Sequence, residues 1–254
     1  TLDTCPITST SNRTSLQLAP ATGVTEPKLK KEPQHAPIPG FWQGQGMHLF
    51  GVVALTALVL TAWNNFDRPF PVFFWLAVAV PIAHQVFVWV VWRTRLHASS
   101  ANETIGLGFY VTCFFLLFGG RFVTLTLLAW FDSGSLNLPR SPRVLLTSGL
   151  LAIGLYAMYS VKRYFGMKRA AGADHFDPKY REMPLVKGGI FSFTSNGMYL
   201  YAFFLFWAIA VGFDSLAALI VAAFSHVYIW LHFFVTEKPD MAYLYGAVKE
   251  DGSN

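Results

Sequence analysis

Charge and cysteine are what this chain has little of. Aspartate, glutamate, lysine and arginine make up 13% of its 254 residues, about half the share usual in soluble domains. A surface so poor in charge does not suit water. Two cysteines, Cys5 and Cys113, exclude a disulfide scaffold and a cysteine-based zinc cluster. The glycine motifs of nucleotide sites are missing: there is no P-loop, no Gly-x-Gly-x-x-Gly after a strand, and no Gly-x-Ser-x-Gly of a serine hydrolase. The seven histidines, at 35, 48, 84, 97, 175, 226 and 232, never fall at His-x-x-x-His or His-x-x-His-His spacing. His226 and His232 would stand about 240° apart around a helix. No metal site and no nucleic-acid partner are expected.

What is abundant is apolar side chain. Hydrophobic residues reach 54% and aromatics 17%, with 24 Phe and 8 Trp, and the mean hydropathy is +0.41. Six apolar runs follow one another at about 47–63, 70–92, 105–131, 144–161, 196–213 and 215–236. Each is long enough for a helix to cross a hydrocarbon core of about 30 Å. The expected fold is therefore an all-α integral membrane protein of about six transmembrane helices, closing with a C-terminal helical hairpin. The short links at 64–69 and around Asp214 make antiparallel hairpins, and Pro81 is expected to kink the second helix. Residues 1–46 read as a disordered cytosolic tail, 47–143 as N-terminal transmembrane helices and 144–250 as a catalytic region. No targeting segment of signal-peptide type precedes Phe41.

The basic residues set a direction. Arg13, Lys28, Lys30, Lys31, Arg93, Arg95, Lys162, Arg163, Lys168, Arg169, Lys179, Arg181, Lys187, Lys238 and Lys249 fall on one side, whereas Arg68, Arg140 and Arg143 fall on the other. By the positive-inside rule both termini are cytosolic, in a bacterial inner membrane or the endoplasmic reticulum. Arg121 alone sits within an apolar run, where a charge is costly and faces the bundle interior or a polar cavity. Its expected partner is a lipid phosphate, a helix carbonyl or an acid. His84 and His226 are expected to be satisfied polar groups bridging helices.

The long link at about 162–195 mixes basic residues with Asp174, His175, Asp177 and Glu182 and ends in Lys187-Gly188-Gly189. Links of this length are functional or disordered. Topology brings Asn196, Tyr199, His232 and Glu237 to one cytosolic mouth. A carboxylate, aromatics and a basic, glycine-bearing loop at such a mouth suit a small amphiphilic cofactor with a cationic centre. An amphipathic interfacial helix with ordinary belt aromatics would use the same residues.

The stretch Gly189-Ile190-Phe191-Ser192-Phe193-Thr194-Ser195-Asn196-Gly197-Met198-Tyr199 resembles, without gaps, the Gly-Pro-Tyr-Arg-(aromatic)-x-Arg-His-Pro-Met-Tyr signature of integral-membrane methyltransferases. That superfamily includes the phospholipid and isoprenylcysteine enzymes. Glu237-Lys238-Pro239-Asp240-Met241-Ala242-Tyr243-Leu244-Tyr245 resembles the Glu-Glu-Pro-x-x-Ala-x-x-Tyr segment of phosphatidylethanolamine N-methyltransferases. Tyr164-Phe165-Gly166 is similar to a tripeptide before that family's cytosolic loop. Asn196-Gly197 stand in place of His-Pro, Ser195 in place of Arg and Lys238 in place of the second Glu. The resemblance covers about 144–250.

It implies S-adenosylmethionine as cofactor and a membrane lipid or other lipophilic acceptor. Glu237 would bind the cofactor's ammonium or ribose, and Lys187 or Arg181 its carboxylate. Gly188 and Gly189 would allow close approach, while Phe191, Phe193 and Tyr199 would pack on adenine or sulfonium. Asn196 and Tyr245 complete the implied cofactor set, and Arg121 and Tyr164 face the acceptor. An amine acceptor must shed a proton, and His175, His232 and Asp240 are the candidate bases. The first acceptor is a lipid amine such as phosphatidylethanolamine or its methylated forms; a small thiol or another lipophilic acceptor is the alternative. Two readings outside this class are a sterol-type reductase using NADPH and a non-enzymatic transport or scaffold protein with Arg121 and His84 lining a conduit.

Overall fold

Each apolar run becomes a helix. The computed structural model describes residues 36–66, 70–98 and 105–246, all within one contact unit, Pro33–Asn254. The tail residues Arg13, Lys28, Lys30 and Lys31, with Cys5, His35, Arg68 and Lys249, lie outside the described residues. The helices are α1 Gln45–Asn64, α2 Pro71–His97, α3 Leu107–Phe131, α4 Arg140–Ser160, the short α5 Met167–Ala170, α6 Phe204–Gly212, α7 Leu216–His232 and α8 Lys238–Tyr245. No strand occurs among the described residues. With their π-helical extensions, five segments are long and apolar enough to cross a membrane: Gln45–Asn64, Pro71–His97, Leu107–Phe131, Arg140–Phe165 and Leu216–Tyr245. The sixth apolar segment, Met198–Gly212, is shorter. α2 continues through Pro81, whose missing N–H leaves the Ala77 carbonyl without its usual intrahelical donor.

α7 is the centre. Its small residues Ala217, Ala218, Val221, Ala222 and Ser225 are buried and recur at helical spacing, so neighbours can approach closely. α1, α2, α3 and α6 all pack on it. α4 stands apart from that group and packs on α6. Gly154 permits this contact, since a β-carbon there would lie 2.7 Å from the Leu205 side chain. Outward residues such as Leu49, Phe50, Leu116, Trp130 and Leu145 are exposed, as a surface facing hydrocarbon requires.

Both ends of the bundle are tied. At the end holding Arg140 and Arg143, Asp132 Oδ2 accepts from Ser135 Oγ (2.7 Å), Ser215 Oγ (2.6 Å) and the Ala217 amide (2.9 Å), and Ser215 caps α7 through the Ala218 amide. Arg143 pairs with Asp214 at 3.0 Å. At the opposite, basic end, the segment before α1 is docked: Pro39, Gly40 and Phe41 carbonyls face His97, Arg93 Nη1 (2.7 Å) and Trp89 Nε1 (3.1 Å). Residues 36–44 therefore form part of the folded body, although the sequence reading assigns them to the disordered tail. Backbone carbonyls hold them together with the Phe41 and Trp42 rings against Trp89, and carbonyls leave no trace in residue type.

Candidate functional site

Three π-helical turns stand at the basic end of the bundle: Val161–Phe165 after α4, Met198–Ala202 before α6, and Phe233–Glu237 between α7 and α8. Each contributes to a single cavity, in keeping with the tendency of π turns to occur at functional sites. In an α-helix, residues five apart stand about 140° apart around the axis, whereas the i→i+5 bonding of a π turn stacks them. The 233–237 turn thus brings Glu237 onto the same face as His232, and both line the cavity.

The cavity encloses about 730 Å³, its open mouth included. α2 supplies His84 and Trp92, α3 supplies Phe118 and Arg121, the 198–202 turn supplies Tyr199, and α7 with its π extension supplies His232 and Glu237. α3 and α4 both line it while packing chiefly on other helices. Its polar groups divide in two. Tyr199 donates a short hydrogen bond to Glu237 Oε2. His84, Arg121 and His232 are buried, and both nitrogens of each histidine and Nε and Nη2 of Arg121 have no hydrogen-bond partner among the described residues. His84 so departs from the bridging role expected for it. His226 fits that role, accepting at Nδ1 from Trp207 Nε1 at 3.1 Å.

Behind the cavity wall lies a second polar cluster. The Trp92 ring stacks on His175 at 4.1 Å between centroids. Its Nε1 donates to Tyr110 Oη (2.8 Å), which donates in turn to the Ala171 carbonyl (2.6 Å). His175 lies between Asp174 Oδ1 at 3.0 Å and Asp240 Oδ2 at 3.4 Å. Asp240 also pairs with Arg93 at 3.0 Å, both side chains wholly buried, and Asp174 accepts from Tyr245 Oη at 2.7 Å. Burial disfavours the charged imidazole, but hydrogen bonds and charge from Asp174 and Asp240 outweigh it and raise the His175 pKa. Burial likewise opposes ionised Asp174, and the bonds from His175 and Tyr245 outweigh it and lower its pKa. Two carboxylates facing Arg93 and His175 form a clamp that fastens the 167–195 loop to α2 and α8.

The residues singled out from sequence fall into four groups. Tyr199, His232, Glu237 and Arg121 line the cavity. His175, Asp240 and Tyr245 belong to the clamp, joined by Arg181, whose Nε donates to the Asp174 carbonyl at 2.6 Å. Gly188, Gly189, Phe191 and Tyr164 gather at the end of α4. A β-carbon on Gly188 would lie 2.8 Å from the Tyr164 ring, and Gly189, at φ +62°, sits against Ser160 Oγ, so these glycines seat the loop on α4. Phe191 is buried there against Phe165. Lys187 and Phe193 are exposed, and Asn196 begins the 198–212 arm, its carbonyl accepting from the Leu200 amide. Trp92, Arg93 and Tyr110 escape a sequence reading: in an apolar helix Trp and Tyr look like belt aromatics, and Arg93 like a topogenic charge.

Residues 142–248 match the family model for phospholipid methyltransferases, consistent with the integral-membrane methyltransferase superfamily. No curated protein and no solved structure matches the chain. The matched span contains Tyr199, His232, Glu237 and the clamp residues 174, 175 and 240, whereas His84, Trp92 and Arg121 lie before it.

Proposed function

We propose that this multi-pass membrane protein transfers a methyl group from S-adenosylmethionine to a lipid amine such as phosphatidylethanolamine or its methylated forms. The observation that carries the reading is a carboxylate, Glu237, held by Tyr199 in an aromatic-walled cavity within the helix bundle. A partly buried carboxylate among aromatic rings fits a ligand with a cationic centre, and the family match supports S-adenosylmethionine as that ligand. When bound, S-adenosylmethionine supplies a sulfonium-activated methyl group.

The chain's own work is orientation, exclusion of water and proton handling. Glu237 Oε2, fixed by the Tyr199 hydroxyl, attracts the cation. His232, with both ring nitrogens unbonded, accepts the proton that the acceptor amine sheds. Arg181 acts by holding the loop through Asp174, and the clamp keeps Trp92 flat against His175 as part of the cavity wall. We assign the basic end of the bundle to the cytosol by its charge bias.

Calorimetric titration of detergent-purified protein with S-adenosylhomocysteine tests the cofactor, and labelled methyl transfer into phosphatidylethanolamine vesicles tests the acceptor. Micromolar binding, weakened at least tenfold in Glu237→Gln, and label in the lipid are the expected results. A folded wild-type protein that binds no S-adenosylhomocysteine overturns the reading.

A further inference from the structure

Arg121 and His84 are not needed for methyl transfer as such, and neither lies in the family-matched span. Arg121 stands 14 residues into α3, about 21 Å from its start, in the interior of a membrane-spanning helix. It is 3% exposed and His84 is 2% exposed. The guanidinium lies 5.2 Å from the ring centroids of Phe203 and Phe206, contacts that fix its position without satisfying its N–H groups. Nε and Nη2, the two nitrogens along one edge, are both without a hydrogen-bond partner among the described residues, as are both nitrogens of His84. Leaving so many donors dry is costly. Gln85, also buried, adds a third polar residue to the lining of the cavity.

The geometry points to a subsite for a singly charged oxyanion, occupied by the phosphodiester of a membrane lipid. The Nε–Nη2 edge is the fork that takes two oxygens of one phosphate or carboxylate side by side, and an imidazole N–H of His84 supplies a further bond. One guanidinium balances one negative charge. A phosphomonoester, carrying nearly two, would leave a surplus in a low-dielectric interior. The acyl chains remain in the bilayer while the headgroup turns inward. Resting on the proposed methyl transfer for its other end, the subsite orients the acceptor. Phe203, beneath Arg121, follows Tyr199 by one turn of the same arm, so a phosphate on Arg121 directs the amine toward Glu237 and His232. α2 and α3 would then choose the acceptor.

Lipid retention measured by native mass spectrometry tests the subsite without any turnover. Wild-type protein is expected to retain phosphatidylethanolamine and phosphatidylcholine at least tenfold over diacylglycerol and over phosphatidic acid, with Arg121→Gln falling to the diacylglycerol level. Arg121→Lys, which keeps the charge but loses the fork, is expected to lose at least threefold, and it decides the matter should the glutamine variant not fold. Equal retention by wild type and either folded variant overturns the proposal, and so does oleate retained as well as the phosphodiesters. In the transfer assay, Arg121→Gln is expected to raise KM for phosphatidylethanolamine at least tenfold with S-adenosylhomocysteine affinity unchanged. Loss of that affinity too would make Arg121 a structural residue and sink the idea. A wild-type protein that retains phosphodiester lipid but binds no S-adenosylhomocysteine would refute the methyl-transfer reading and leave the subsite standing.

Discussion

The two halves of the cavity differ in how their polar groups are satisfied. The C-terminal half, from residue 142 onward, presents Glu237 already bonded to Tyr199, with His232 open beside it, and stands in front of a clamp in which Asp174, His175 and Asp240 meet Arg93 of α2. The N-terminal half presents His84 and Arg121 with open nitrogens and no bonded carboxylate beside them. A paired network rigidifies its surroundings, whereas open donors wait for something to arrive. The contrast separates a half that is largely braced, His232 apart, from a half built to receive.

The strongest way to break that division is to attack the clamp, because Arg93 belongs to α2 and Asp240 to α8. Asp240→Ala leaves a fully buried guanidinium without its counter-charge, a change that costs about 3–5 kcal/mol. Thermal unfolding in detergent should show a large fall in Tm, and a change within error would mean the halves do not depend on this pair. A second test leaves the charges alone and separates α4 from α6. Gly154→Val sets methyl groups against Leu205 and should cost about 1–3 kcal/mol, as overpacking does, while sparing the packing of α1, α2 and α3 on α7. Unchanged stability would show that this contact is already slack.

Next in size is a kinetic split. Glu237→Gln should move the constant for the methyl donor at least tenfold, and Arg121→Gln that for the lipid, each leaving the other within about threefold; proportional changes in both constants for both variants would dissolve the two-half picture. The smallest effect is one of pH. His175 has a raised pKa in the folded protein, so its stabilisation is complete below its unfolded value near 6.5 and is lost as pH rises through the folded one. Asp174, with a lowered pKa, contributes above its unfolded value and fails only as pH falls through the folded one. Hydrogen exchange of residues 171–182 should therefore accelerate toward alkaline pH beyond the intrinsic rate, and His175→Asn should abolish that excess. A wild-type profile identical to the variant's would remove His175 from the clamp.

Much of this architecture is legible in the residues alone. Apolar runs end within a few positions of the helices because charge and hydropathy change abruptly there, and chain direction alone brings Tyr199 near Glu237. The rest depends on contacts that residue type does not encode. Nothing in Trp92 announces that it will lie on His175, 83 positions away in the chain, and nothing in Pro39-Gly40-Phe41 announces that their carbonyls will cap α2 side chains. Arg121 is conspicuous in sequence as a charge among apolar residues, but the open edge of its guanidinium is a property of the neighbours it lacks.

The π turn at Phe233–Glu237 carries one residue more than an α-helix would use, and that surplus works as a register setting. Closing the turn to α geometry with every residue kept would swing everything beyond it by about 100°. His232, upstream, would stay where it is, while Glu237 would leave the cavity and Asp240 would leave Arg93. Deleting one residue from the turn would avoid that swing, because an α turn uses one residue fewer and Glu237, then four positions after His232, would keep the same face. The bonding pattern of this one turn, as much as the side chains that occupy it, decides whether the acidic group and the imidazole share a chamber.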